Sequence, residues 1–449
     1  MPHAMMLVLG LLLQDQDADR LKRLEEQVKR QQEEIEALKK GQEKERKNDV
    51  GITLADGLRA KSADGQHEVH VGGRFQEHYR QVFDRPDASR TNPDTFFIRA
   101  ARVQVDGTFF KDFGFMVQGD FPSSTTGPTP TVQAAYLEWK RLTEIRVTAG
   151  QFKAPASQDR LVSRLFGDFV EDSPLTRFVP GYDIGLMVHG RLFDGIFGYQ
   201  AAVVNGRSHL DNQGRSRHDD NDEKEAVVRL TLSPWAPDKE SPIRQFRFGV
   251  YGSITDTDDV AISGAGVTTF DISTPELGVT FLDPNAGFLD GRRSRIGLEL
   301  SLAWGPLAFR AEYLLRSDEM VNGALEEDVD STAWYVAVTW IVTGETKLVE
   351  SRITPAKPFD LAGGWGAVEL VLRFSHAEVD DSIEDIGVSL AVQSNEVSII
   401  TFGVNWWLQR NVRVSANVVR EDYHDEITFG GGRTEDTLLG ILFRFQIDF

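Results

Sequence analysis

The residues of this chain that could do chemistry are cations set among aliphatics. Arg295, Glu299 and Ser301 alternate with Ile296, Leu298, Leu300 and Leu302. Arg310, Glu312 and Arg316 alternate with Leu307, Phe309, Ala311, Tyr313 and Leu315. Arg102, Arg247, Arg413 and Arg444 likewise sit between apolar neighbours. A second group gathers around residues 152–182: Lys153, Arg160, Arg164, Asp168 and Arg177, with Asp183 just beyond. Guanidinium forks bind anion oxygens in pairs, and charges facing a narrow watery space concentrate ions of opposite sign. The chemistry is electrostatic sorting, with no bond made or broken. No phosphate-cradling glycine loop, zinc-ligand cluster or Gly-x-Ser-x-Gly elbow is present, so no enzyme and no cofactor are expected. The nine His residues are scattered. His67 and His70 are close in sequence, but no Cys stands near to complete a metal site.

Such alternation needs strands. In the last stretch, residues 438–449 (LLGILFRFQIDF), Leu439, Ile441, Phe443, Phe445, Ile447 and Phe449 share one face. The pattern recurs in sixteen segments: 67–83, 95–107, 110–120, 131–139, 144–151, 183–192, 195–204, 224–233, 243–252, 291–302, 306–316, 331–341, 364–375, 396–407, 411–420 and 437–449. Long intervals follow the odd-numbered strands and mostly tight turns the even ones. This is the signature of an up-and-down antiparallel transmembrane β-barrel, closed because lipid tolerates no open sheet edge. The apolar faces then meet lipid, and the charged faces require a wet lumen. Aromatic residues gather at strand ends, among them Phe109, Trp139, Trp304 and Trp406, as interfacial girdles would require. The interval 152–182 is amphipathic, with Leu161, Leu165 and Phe169 at helical spacing. We expect it to fold into the barrel and narrow it; a small helix on the rim is the alternative.

Four regions are expected: a truncated signal-like segment at 1–14, a helix at 15–48, a linker at 49–66, and the barrel at 67–449. In the helix, Leu21, Leu24, Val28, Gln31, Ile35 and Leu38 recur at spacings of three and four, a heptad seam. A coiled coil, and hence an oligomer, is expected; an exposed helix lying against the next domain is the alternative.

The formal charge of −20 argues against nucleic acid as a partner. No apolar run is long enough for a spanning helix. Long intervals carry acidic runs, such as Asp219, Asp220 and Asp222, and Glu326, Glu327 and Asp328. Their spacing matches no calcium loop.

Several segments resemble one known family. Residues 97–107 read FIRAARVQVDG; 135–140 read AYLEWK and 149–155 AGQFKAP; 179–190 read VPGYDIGLMVHG. Residues 201–206 read AAVVNG, 335–345 YVAVTWIVTGE and 366–375 GAVELVLRFS. In this order, and with a terminal Phe449, they resemble the phosphate-selective porin O and P family of Gram-negative outer membranes, over about residues 67–449. The resemblance implies a sixteen-stranded barrel, a homotrimer and an arginine-lined path for anions narrowed by the third loop. It implies that Phe449 is read by the barrel assembly machinery, and that the coiled coil projects into the periplasm toward peptidoglycan. The chain departs from the family where Tyr182 and Asp183 replace a basic pair, and where the outer loops are acidic. The expected function is therefore passive diffusion of small hydrophilic solutes or ions, with anions such as phosphate among them. A structural protein tethering the envelope through its coiled coil is the alternative.

Overall fold

The computed structural model describes residues 22–40, 50–54, 56–83, 94–121, 131–206, 222–261, 272–282, 288–387, 393–429 and 432–449. Segment 1–14 and Leu21 lie outside them, as do the acidic residues Asp219 and Asp220. The strands are β1 (Val50–Thr53), β2 (Leu58–Ser62), β3 (Glu68–Phe83), β4 (Asp94–Phe109), β5 (Phe113–Asp120), β6 (Thr131–Trp139), β7 (Arg146–Lys153), β8 (Tyr182–Leu192), β9 (Phe197–Val204) and β10 (Glu225–Leu232). They continue as β11 (Arg247–Ala261), β12 (Ile272–Ser273), β13 (Thr280–Leu282), β14 (Phe288–Trp304), β15 (Leu307–Asn322), β16 (Leu325–Ile341), β17 (Ala367–Val379), β18 (Glu396–Gln409), β19 (Val412–Phe429) and β20 (Arg433–Asp448).

Strands β3–β11 and β14–β20 form a closed antiparallel barrel of sixteen strands. Closure comes from β20 on β3, in register from Leu439↔Phe83 to Asp448↔Arg74. The two faces are sorted as alternation requires. Ile296 and Leu298 are 55% and 47% exposed toward lipid, whereas Arg295 and Glu299 between them are 7% and 2% exposed.

Several strands run further than the alternation does. β15 and β16 stay paired through residues 317–330, ending at Asn322↔Leu325. β19 and β20 stay paired as far as Phe429↔Arg433. These stretches, expected as loops, are ribbons extending from the barrel. One face of these ribbons still packs inward, with Asp318, Met320, Val329, Ile427 and Phe429 buried. The outer face, no longer against lipid, carries Ser317, Glu319, Asp328 and Asp330, so pairing persists after the apolar outer face has ended.

The wall is uneven in height. β5, β7, β9 and β10 have 8 residues each and β6 has 9, against 17 in β14 and β16 and 18 in β19. A tilted strand needs about 9–11 residues to cross a bilayer, so the short side only just spans it.

Within the expected linker, β1 and β2 form a hairpin, and β2 pairs with β3 from Leu58↔Val71 to Lys61↔Glu68. It takes up the edge of β3 below the point where β20 ends, and Asp56 in its turn is ion-paired to Arg410. Phe449 is seated at that junction. Its N–H donates to the Gly73 carbonyl at 3.0 Å, and the Gly73 N–H donates back at 2.9 Å. A Cβ on Gly73 would fall 2.7 Å from the Phe449 ring, so the seat requires glycine.

Residues 22–40 are helical and wholly exposed. Leu24, Val28, Ile35 and Leu38 are each more than half exposed, and Gln31 is exposed with them. No coiled coil precedes the barrel in this structure. The reason is physical: a seam needs a second seam, and among its described residues this chain supplies one such helix.

Candidate pore and constriction

The interval after β7 turns into the barrel. Its neck is closed by the Ala154 N–H, which donates to the Gly181 carbonyl at 2.9 Å. Ser157 caps the short helix Gln158–Leu161 by accepting from the Arg160 N–H at 3.2 Å. The helical spacing of Leu161, Leu165 and Phe169 is not realised beyond that single turn. Leu161 and Leu165 face the open cavity instead, while Phe169 is buried beneath Arg373, whose guanidinium carbon lies 4.4 Å from the ring centroid.

The interior divides into a packed half and an open half. In the packed half the loop is tied to the wall formed by β10, β11 and β14–β20. Gln158 donates to the carbonyls of Leu300 and Ala311 at 3.1 and 2.8 Å. Arg295 donates to the Phe178 carbonyl at 2.8 Å, and Arg413 to the Gly167 carbonyl at 2.8 Å. Arg444 donates to the Val170 carbonyl. Arg310 meets Asp168 at 2.9 Å. Glu312 accepts from the Asp159 N–H at 3.2 Å and from Tyr251 at 2.8 Å. Glu299 is paired with Arg229, and Arg247 with Glu350. Of the eight wall residues singled out from sequence, only Arg102 lines the open passage.

The open half is a cavity of about 1160 Å³ between β3–β8 and the loop. Its lining holds ten Lys and Arg residues against five Asp and Glu, the reverse of the chain's overall balance. Lys153, Arg160, Arg164 and Arg177 from the loop all line it. Asp183 does not. Its carboxylate accepts from the N–H groups of Gly206 and Ile184 at 2.9 and 2.7 Å. Some cations are neutralised: Arg164 by Asp172 at 2.5 Å, Arg99 by Glu171 at 2.8 Å and Arg102 by Asp120 at 2.6 Å. Burial raises the Asp172 carboxyl, but the Arg164 guanidinium outweighs it and holds the group at about 2. Four other cations are held by neutral oxygens. Arg74 donates to Ser163 Oγ at 3.0 Å, Arg80 to the Leu277 carbonyl at 3.1 Å, Lys153 to the Arg160 carbonyl at 2.6 Å and Arg177 to the Ser273 carbonyl at 3.1 Å.

Two further segments shape this lumen. The hairpin of β12 and β13 descends into the mouth, with Glu276 paired to Arg373 at 2.5 Å and Thr274 bonded to Glu421 at 3.0 Å. The turn between β16 and β17 enters from the opposite rim and places Arg352 on the cavity. Sequence reasoning did not single out Arg74, Arg80 or Arg99. The first two carried a signal, because Arg74, Gln76, His78 and Arg80 alternate with Phe75 and Tyr79. Arg99 carried none. Strict alternation puts it on the face opposite Arg102. A bulge where Gln76 pairs with Ala100 and Glu77 with Ile98 leaves Arg99 between them, and it turns inward.

A closed sixteen-stranded barrel with a lipid-facing apolar surface, an inward third loop and a charged lumen is a porin of the outer-membrane type. The chain belongs to the phosphate-selective porin O and P family, which it matches over residues 69–449. It is 23% identical to Porin O of Pseudomonas aeruginosa over 428 residues, 89% of this chain and 93% of that protein. Among solved structures, the anion-selective porin from Comamonas acidovorans shares the fold with a TM-score of 0.52 at 12% identity, covering 85% of this chain and all of that one. The outer membrane channel DcaP of Acinetobacter baumannii does so with a TM-score of 0.51 at 12% identity, covering 88% and 100%. Porin-type transport, without enzymatic chemistry, is the activity that family membership carries.

Proposed function

We propose that this porin passes small hydrophilic solutes by diffusion and favours anions, phosphate-sized oxyanions among them. One observation carries this reading: along the open cavity beside the third loop, cations outnumber acids two to one, and four of them hold only neutral oxygens. A charge there acts at close range, whereas the acidic ribbons outside act across water and salt. Phosphate also matches the guanidinium fork, but Tyr182 and Asp183 in place of a basic pair point to general anion preference over strict phosphate specificity. The experiment is single-channel conductance in planar bilayers, with reversal potentials in potassium chloride gradients and added phosphate. Anion-selective steps are expected. Cation-selective steps would overturn the preference, and folded protein giving no steps would overturn the channel.

The short wall of β5–β7, β9 and β10 supports a homotrimer, because neighbouring barrels can cover strands that barely span lipid. The exposed seam of residues 22–40 supports pairing of three such helices in the periplasm, where they could reach peptidoglycan. This tethering role is compatible with diffusion. Phe449 at the barrel seam is suited to recognition by the assembly machinery. A single-chain mass in detergent by analytical ultracentrifugation would sink the trimer. An unchanged trimer after deletion of residues 15–48 would remove the helices from its assembly.

A further inference from the structure

The turn between β16 and β17, residues 342–366, does not stay outside the barrel. Ile353 is buried with Ile341, Ala367 and Trp407. The Lys347 side chain is only 5% exposed, and its Nζ lies 2.5 Å from Asp168 Oδ1 and 2.5 Å from Glu369 Oε1. Asp168 belongs to the constriction loop and Glu369 to the wall. Asn405 completes the joint by donating to the Asp168 carbonyl at 2.7 Å and to Glu369 at 2.9 Å. The Lys347 backbone is rooted in the neighbouring rim: its N–H donates to the Gly305 carbonyl at 2.7 Å, and its carbonyl accepts from Gln245 at 3.1 Å. Arg352, from the same turn, stands 5.7 Å over the Phe166 ring. The turn therefore grips the loop on both sides of Gly167.

We propose that Lys347 is the positioning residue of the constriction loop: a latch set from the short-turn rim that holds Asp168 against the wall and keeps the passage on the far side clear. The inference rests on the channel reading above. The wall arginines fasten the loop mainly through its carbonyls, which any sequence supplies. Lys347 fastens it through a side chain. A buried ammonium between two carboxylates is a demanding joint, because losing one partner leaves the others uncompensated.

The chain contains no cysteine, so one introduced thiol can be modified selectively. Lys347→Cys and Lys347→Met channels are expected to show brief closures about tenfold more often than the natural protein at the same voltage, and to close fully at lower voltage. Lys347→Cys treated while unfolded with an aminoethyl thiosulfonate, which rebuilds an ammonium on a side chain of similar length, is expected to return the quiet conductance after refolding. Variants as quiet as the natural protein, or treated channels as noisy as untreated ones, would overturn the latch. Should neither variant fold, Asp168→Asn tests the same joint from the loop, and a quiet Asp168→Asn channel would overturn the proposal. The natural protein is recorded alongside. Its silence would count against the channel itself, whereas natural steps with quiet variants would count against the latch alone.

Discussion

The two halves of the lumen are built from the same residue types and do different things. Along β14–β20, Arg295, Arg310, Arg413 and Arg444 are used up in holding the loop. Along β3 and β4, and on the loop's other side, Arg74, Arg80, Lys153 and Arg177 face a cavity. The difference lies in what has been packed against each face. An inward arginine closed in between wall and loop is a structural clamp, and one that holds only neutral oxygens while lining an open cavity keeps its charge for the pore.

The largest effect expected from this contrast is on the packed side. Arg310→Met leaves Asp168 buried with one cation fewer, and breaking such a pair costs about 3–5 kcal/mol. Thermal unfolding in detergent should show a clear drop, with anion preference little changed in the barrels that fold. Arg74→Gln with Lys153→Gln should do the converse. The anion-to-cation permeability ratio should fall about threefold, consistent with lost focusing at the narrowest point, while the unfolding temperature falls less than for Arg310→Met. A stability loss as large as that of Arg310→Met would erase the distinction between the halves.

A third, smaller effect concerns pH. Burial works against the Asp168 charge, but Lys347 and Arg310, with Arg413 beyond them, hold its pKa below the usual 3.8. Its contribution is therefore present above pH 3.8 and lost as pH falls through the lowered value. Burial works against Lys347 too, but Asp168 and Glu369 raise its pKa above 10.5. Its contribution is complete below 10.5 and lost as pH rises past the raised value. The joint itself should thus add no pH dependence to closure between about pH 4 and pH 10, and a transition near neutrality that Lys347→Met abolishes would contradict this account of the joint. The smallest effect is expected outside the lumen. Glu326→Gln with Glu327→Gln on the exposed β15–β16 ribbon should leave the reversal potential almost unchanged at physiological salt, where screening acts over about 8 Å.

Sixteen strands, their order and their faces were legible in the chain because alternation is local: each residue's face follows from its neighbours two positions away. The inward turn of residues 154–181 could be anticipated from length and charge, though not its form. The helical spacing of Leu161, Leu165 and Phe169 gave way to contacts with distant strands. The extended ribbons were missed because an outer face no longer against lipid carries polar residues, and the apolar alternation ends there although the inner face stays packed. Arg99 escaped because one bulge shifts the parity of everything beyond it. Lys347 escaped because the unusual length of the interval 342–363 marks the turn but not the distant carboxylates that it reaches.

The sequence by itself determined which residues of the regular strands point inward and that many of them are charged. Only the tertiary structure decided which of those charges are spent on the loop and which remain for a passing ion. That choice depends on contacts between residues more than a hundred positions apart, such as Lys347 with Asp168 or Arg444 with Val170, and no local period encodes them.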